Sequence, residues 1–184
     1  MSLTIITGPM FSGKSSYLVN KINELILQNN KVFVINHMLD KRYNNNSCIS
    51  THNGLNTLNN NYIFNSSFHT FNEFLDLSKD RLNQYDYFFI DECQFFKDID
   101  LVIDFLLSKD KHLFISFLNS DYKMEPFSVT NVLYPKADKI IHLTAKCSIC
   151  NNDAPFTKRL IDSSSQILVG KNDIYVPRCR KCFF

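Results

Sequence analysis

Residues 8–16 read GPMFSGKSS, between the apolar, β-branched run Leu3–Thr7 and a helical pattern that places Leu18, Ile22, Leu25 and Ile26 on one face. Gly8, Gly13, Lys14 and Ser15 satisfy G-x-x-x-x-G-K-[ST], a spacing that carries weight only after a strand and at the start of a helix, which is where it stands here. Glycines let backbone N–H groups close around phosphate oxygens, and the helix N-terminus adds partial positive charge. Lys14 would reach the β- and γ-phosphates and the Ser15 hydroxyl would ligate Mg²⁺. The competing reading, a chance match in a Gly-Ser turn, is rare at ordinary glycine usage.

The strand–helix alternation continues along the chain. Val32–Ile35 follows the Asn29–Asn30 break, so the first unit reads as strand, loop, helix and parallel strand. FNEFLDLSKDRL predicts a helix from about Phe71, YDYFFID a buried strand, DIDLVIDFLLS a helix, HLFISFL a strand, and KIIHLT a last short strand. Such alternation predicts an α/β fold with a mainly parallel sheet flanked by helices. The asparagine-rich runs NNNSC and LNTLNNNY read as loops. The texture changes after Lys139, and a boundary near Ala145 divides a nucleotide-binding α/β domain (1–145) from a small C-terminal domain (146–184).

At 184 residues with a net charge of +2, the chain is long enough for a sizeable core and lacks the basic excess of a duplex-binding domain. Neither a nucleic-acid nor a membrane partner is expected: no apolar run nears the roughly 18–20 residues of a bilayer span, and no basic, cleavable leader opens the sequence. A soluble cytoplasmic protein is expected. Of the six cysteines, Cys147/Cys150 and Cys179/Cys182 form two C-x-x-C pairs, a spacing that suits a closed tetrahedral zinc site of structural type. The rivals are a redox dithiol or two disulfides, against which neither pair opens a helix after a strand. Cys48 and Cys93 read as ordinary reduced thiols.

A magnesium–nucleotide site needs an acid at the end of a neighbouring strand, and YDYFFIDECQFF supplies Asp91 and Glu92 after an apolar run. Asp91 is expected in the magnesium shell and Glu92 on the attacking nucleophile, against the alternative of a merely solvated strand end.

Taken together, these motifs make the chain resemble the type II thymidine kinases, a P-loop NTPase-like family with a small C-terminal zinc-ribbon and lasso domain. GPMFSGKSS is similar to that family's phosphate loop, DKRY and STHNG to its next segment, and IDECQFF to its base-bearing strand end. LNSDYKMEPF is similar to its L-D-x-D-F-R-G-x-P-F, LTAKCSIC to its first zinc pair, FTKRL to the start of its lasso, and VGKNDIYVPRCRKC to its end. All four glycines, Gly8, Gly13, Gly54 and Gly170, fall within these motifs.

The resemblance implies transfer of the ATP γ-phosphate to the 5′-hydroxyl of thymidine, with Glu92 as general base. It implies ATP and Mg²⁺ contacts from Gly8, Pro9, Met10, Phe11, Ser12, Gly13, Lys14, Ser15, Asp40, Arg42, Asp91 and Gln94. Thymidine contacts would come from Phe95, Tyr122, Thr157, Tyr175 and the stretch Gln166, Ile167, Leu168, Val169 and Gly170, whose main chain reads the base. Structural Zn²⁺ on Cys147, Cys150, Cys179 and Cys182, a homotetramer and feedback inhibition by dTTP are also implied.

The sequence departs from the family pattern where Asn119 replaces an acid, Tyr122 a phenylalanine, Lys123 an arginine and Met124 a glycine. If the last position needs φ > 0, methionine is strained there. Two other classes fit a phosphate loop: an ATP-hydrolysing module gripping nucleic acid, and an inactive nucleotide-binding regulator. Near-neutral charge and short length oppose the first, and thymidine-dependent ADP release separates the kinase from both.

Overall fold

The computed structural model describes residues 1–36, 63–68, 70–78, 81–162, 165, 166, 168 and 173–184. Six strands form one sheet: β1 (Ser2–Gly8), β2 (Val32–Asn36), β3 (Ile63–Ser67), β4 (Tyr87–Ile90), β5 (His112–Leu118) and β6 (Lys139–His142). Their order is β3-β2-β4-β5-β1-β6 and every pairing is parallel, as the alternating pattern predicts.

Period-2 alternation explains why both faces are covered. Leu3, Ile5, Phe33, Ile35, Phe88, Ile90, Leu113, Ile115 and Phe117 join one apolar cluster, closed by α2 (Phe71–Ser78), α3 (Ile99–Ser108) and α4 (Ser128–Leu133). The intervening Ile6, Val32, Val34 and Phe89 turn the other way, against Leu18, Val19, Ile22, Leu25 and Ile26 of α1 (Lys14–Leu27). Because β4 and β5 lie between β1 and β2, α1 must cross the sheet rather than join neighbours.

Two elements differ from expectation. The helix beginning at Phe71 ends at Ser78, and Leu82–Gln84 forms a separate 3₁₀ turn. The edge strand β3 lies where the asparagine-rich stretch hides it: IFNSS offers two large apolar residues and three polar ones, too few to read as a strand.

After β6 the chain leaves the sheet. Ala145–Lys146 (β7) pairs with Asp153–Ala154 (β8), and Phe156–Arg159 (β9) pairs antiparallel with Tyr175–Arg178 (β10), followed by the short α5 (Arg180–Phe183). Ala145, Cys147 and Ala154 form a small core of their own, and Phe11, from the loop after β1, packs onto it.

Candidate active site

The site lies at the C-terminal ends of β1, β4 and β5, where ligands collect in open parallel sheets. Gly8 ends β1 in register with Leu118 of β5. A Cβ on Gly8 would run into the Leu143 carbonyl oxygen, whereas Gly13 has open space but sits at φ 86°. Close approach therefore requires the first glycine and backbone conformation the second. Between them Phe11 takes φ 64°, a left-handed turn that sends the loop back to the helix.

Lys14, 6% exposed, lays its ammonium across this loop, donating to the Pro9 carbonyl at 2.9 Å and the Gly8 carbonyl at 3.3 Å. One residue on, Ser15 Oγ donates to Asp91 Oδ2 at 2.7 Å. Asp91 is 1% exposed, and its Oδ1 accepts from Ser116 Oγ and from the Glu92 amide at 3.0 Å. The phosphate-type loop and the acidic strand end, 76 residues apart, thus meet at one hydrogen bond. Ser15 Oγ and Asp91 Oδ2 are adjacent hard oxygen donors, a set that fits magnesium, which takes one or two protein oxygens plus phosphates and water.

Glu92 stands at φ 54°, ψ 46°, an uncommon conformation for a non-glycine residue. The left-handed turn places its half-buried side chain between two that point inward, Asp91 and the fully buried Cys93. Burial first, then the charges of Asp91 and Glu92, push the Cys93 thiol well above its ordinary value, so it remains an inert thiol. Gln94 Nε2 donates to Glu92 Oε2 at 2.6 Å, while Gln94 Oε1 accepts the Leu118 amide at 3.3 Å. Gln94 therefore ties the Glu92 carboxylate to the end of β5. Phe95 is half-buried in the turn and its neighbour Phe96 enters the core.

Beyond β5 the chain turns around Asp121. Its Oδ1 accepts the Lys123 and Glu125 amides at 2.8 and 2.9 Å, and its Oδ2 accepts Gln166 Nε2 at 3.1 Å. This turn holds Met124 at φ 65°, so the position does require the left-handed region. Met124→Gly is expected to stabilise the protein by about 0.5–1 kcal/mol, read from urea denaturation, because a side chain in that region costs roughly 1–2 kcal/mol. Asn119 has a use for its amide that an acid would lack: Nδ2 donates to the Pro155 carbonyl at 3.1 Å.

On β9, Thr157 and Arg159 face inward two residues apart. Thr157 Oγ1 accepts the Met10 amide at 2.9 Å, joining β9 to the loop after β1. The Arg159 guanidinium lies 3.7 Å from the centre of the Tyr122 ring, and Tyr175 Oη donates to the Leu168 carbonyl at 3.0 Å. Asp40, Arg42, Ile167, Val169 and Gly170, like Cys48, lie outside the described residues. Sequence reasoning assigned no role to Ser116, Asp121 or Arg159. A hydroxyl inside the apolar HLFISFL run is the available signal for Ser116; the contacts of Asp121 with Gln166 and of Arg159 with Tyr122 join residues far apart in sequence.

The sulfur atoms of Cys147, Cys150, Cys179 and Cys182 lie within 4.8 Å of one another, and Cys150 and Cys179 approach to 3.5 Å. Zinc–sulfur bonds of about 2.3 Å in a tetrahedron put sulfurs roughly 3.8 Å apart, so the cluster fits a structural zinc ion. Contrary to the sequence expectation, the Cys179/Cys182 pair does open a helix, the short α5, after β10; what favours the metal reading is that all four cysteines are free of disulfides and their sulfurs meet in one cluster. Asn151 at φ 59° and the Cys147 amide, donating to Asn152 O at 2.8 Å, shape the first knuckle. The Cys179 amide is the chief group pulling the Cys147 thiol down to about 6. The hydrogen bond to Cys179 pushes the Cys182 thiol up to about 12.

A family profile described as "Thymidine kinase" matches residues 1–183. The "Thymidine kinase" of Amsacta moorei entomopoxvirus is 38% identical over 185 residues, covering 100% of this chain and 98% of that protein. "Thymidine kinase 1" of Dictyostelium discoideum is 34% identical over 184 residues, covering 98% of this chain and 77% of that protein. The "Thymidine kinase" of Thermococcus kodakarensis is 33% identical over 187 residues, covering 97% of this chain and 92% of that protein.

Proposed function

The chain belongs to the thymidine kinase family, and on that premise we propose that it transfers the γ-phosphate of ATP to the 5′-hydroxyl of thymidine, giving dTMP and ADP. The observation that carries this reading is the 2.7 Å bond between Ser15 and Asp91, which joins the loop carrying Lys14 to the strand end carrying Glu92.

In this reading Gly8–Ser15 is a P-loop that receives the ATP phosphates. Lys14 leaves the Gly8 and Pro9 carbonyls for the β- and γ-phosphate oxygens, and offsets the charge that develops as the bridging P–O bond breaks. Ser15 and Asp91 would hold Mg²⁺, which supplies charge neutralisation across the phosphates. The family resemblance assigns Asp40 and Arg42 to the phosphates as well. Glu92, held by Gln94, orients the 5′-hydroxyl and accepts its proton as the new O–P bond forms, while ADP departs. Phe95, Tyr122 and Tyr175 wall the thymine, and the main chain of residues 166–170 reads its carbonyls and N–H.

Thr157 acts on the donor side in this arrangement, through Met10, rather than on the nucleoside. Thr157→Val is expected to raise the ATP KM roughly tenfold, since a lost acceptor costs about 1–3 kcal/mol, with the thymidine KM little changed. A rise in the thymidine KM alone would place Thr157 against the nucleoside instead.

The nucleotide-binding unit is taken as residues 1–145 and the ribbon and lasso as 146–184. The family reading further proposes a cytoplasmic homotetramer in nucleotide salvage for DNA synthesis, inhibited by dTTP, with no nucleic-acid or membrane partner. A net charge of +2 supports the absence of nucleic acid, and no helix among the described residues is long and apolar enough to cross a membrane. The test is ATP-dependent phosphorylation of thymidine, deoxycytidine, deoxyadenosine and deoxyguanosine. Thymidine should yield dTMP; ADP formation indifferent to every nucleoside would refute the reading.

A further inference from the structure

We propose that Arg159 is a positioning residue for the nucleoside side of the pocket, locking Tyr122, Tyr175 and the main chain at residues 165–166 into one unit. The proposal rests on the kinase reading above and adds a residue that acts through others. Arg159 is 8% exposed, and its guanidinium meets groups from three segments. Nη1 donates to the Ser165 carbonyl at 2.6 Å, and Nη2 to the Gln166 carbonyl at 3.0 Å and to Tyr175 Oη at 2.7 Å. Nε donates to the same phenol oxygen at 3.2 Å, and the plane of the group covers Tyr122.

The strand register accounts for part of this arrangement. Arg159 pairs directly with Tyr175 across β9 and β10, so the two side chains share a face. Tyr175 then passes the contact on by donating to the Leu168 carbonyl. A planar fork with a π face can stack on one ring, grip a phenol and hold two carbonyls at once; a lysine ammonium, a point charge, cannot do all of these. Of the two carbonyls it holds, that of Gln166 opens the stretch assigned to reading the base and that of Ser165 directly precedes it, so the entry of the main chain into that stretch depends on this side chain.

The test measures dTMP formation by the wild type, Arg159→Lys, Tyr175→Phe and the double variant, with zinc content and the KM for each substrate. Arg159→Lys should raise the thymidine KM roughly tenfold or more, the scale of lost charged hydrogen bonds, with the ATP KM and zinc content unchanged. The double variant should be little worse than Arg159→Lys alone, because both changes break one network. A thymidine KM within about twofold of the wild type would overturn the proposal. Parallel rises in both KM values with zinc loss would also overturn it, by making the residue a general support of the ribbon. A wild type that makes no dTMP removes the kinase reading, and the proposal with it.

Discussion

Glu92→Gln should lower kcat by roughly 10²-fold or more while the thymidine KM stays within about twofold, measured by steady-state dTMP formation. Glutamine keeps the size of the side chain and a hydrogen-bonding oxygen, so the nucleoside is still placed; what is lost, on the proposed mechanism, is the acceptor for the 5′-hydroxyl proton. In the proposed mechanism the surroundings of the two carboxylates favour this one over its neighbour. Asp91 is sealed and already accepts from Ser15, Ser116 and the Glu92 amide, whereas the left-handed turn keeps Glu92 half-buried with its oxygen held by Gln94. An equal fall in kcat and in affinity for both substrates would point to a collapsed turn rather than a lost base.

Cys179→Ser should have the largest effect on stability, and it should remove activity at a distance. A structural zinc site in small domains is worth on the order of 10 kcal/mol in apparent binding, and losing one thiolate forfeits much of it. The cluster joins the knuckle after β7 to the end of β10, so its loss frees the antiparallel pair β9–β10. That pair carries Thr157, which holds the Met10 amide, and Arg159, which holds the Ser165 and Gln166 carbonyls, while Phe11 packs on the ribbon core. The variant should therefore lack zinc by metal analysis, melt at lower temperature and show both KM values raised. A variant retaining full zinc and unchanged kinetics would show that the four sulfurs do not act as one site.

The parts of the molecule that were legible in the sequence are those whose cause is local. Apolar runs such as YDYFFID and HLFISFL bury both faces of a parallel strand beneath helices. GPMFSGKSS was legible because glycine spacing, lysine and serine all act within one turn of backbone, and C-x-x-C because a knuckle is a four-residue device. The edge strand β3 was not, since its pairing with β2 rests on main-chain hydrogen bonds beneath an asparagine- and serine-rich sequence. Nor was the bond between Met10 and Thr157, which spans 147 positions and joins two residue types common in any loop or strand. Met124 shows an intermediate case: it stands where the family pattern similar to LNSDYKMEPF has glycine, which raises the question of φ > 0, and only the turn around Asp121 answers it.

The most direct test follows the terminal phosphate of γ-labelled ATP when wild-type protein is mixed with magnesium and thymidine. The account predicts that the label moves to dTMP in step with ADP, with almost none released as inorganic phosphate. Label released only as inorganic phosphate, unaffected by thymidine or raised by single-stranded DNA, would contradict it.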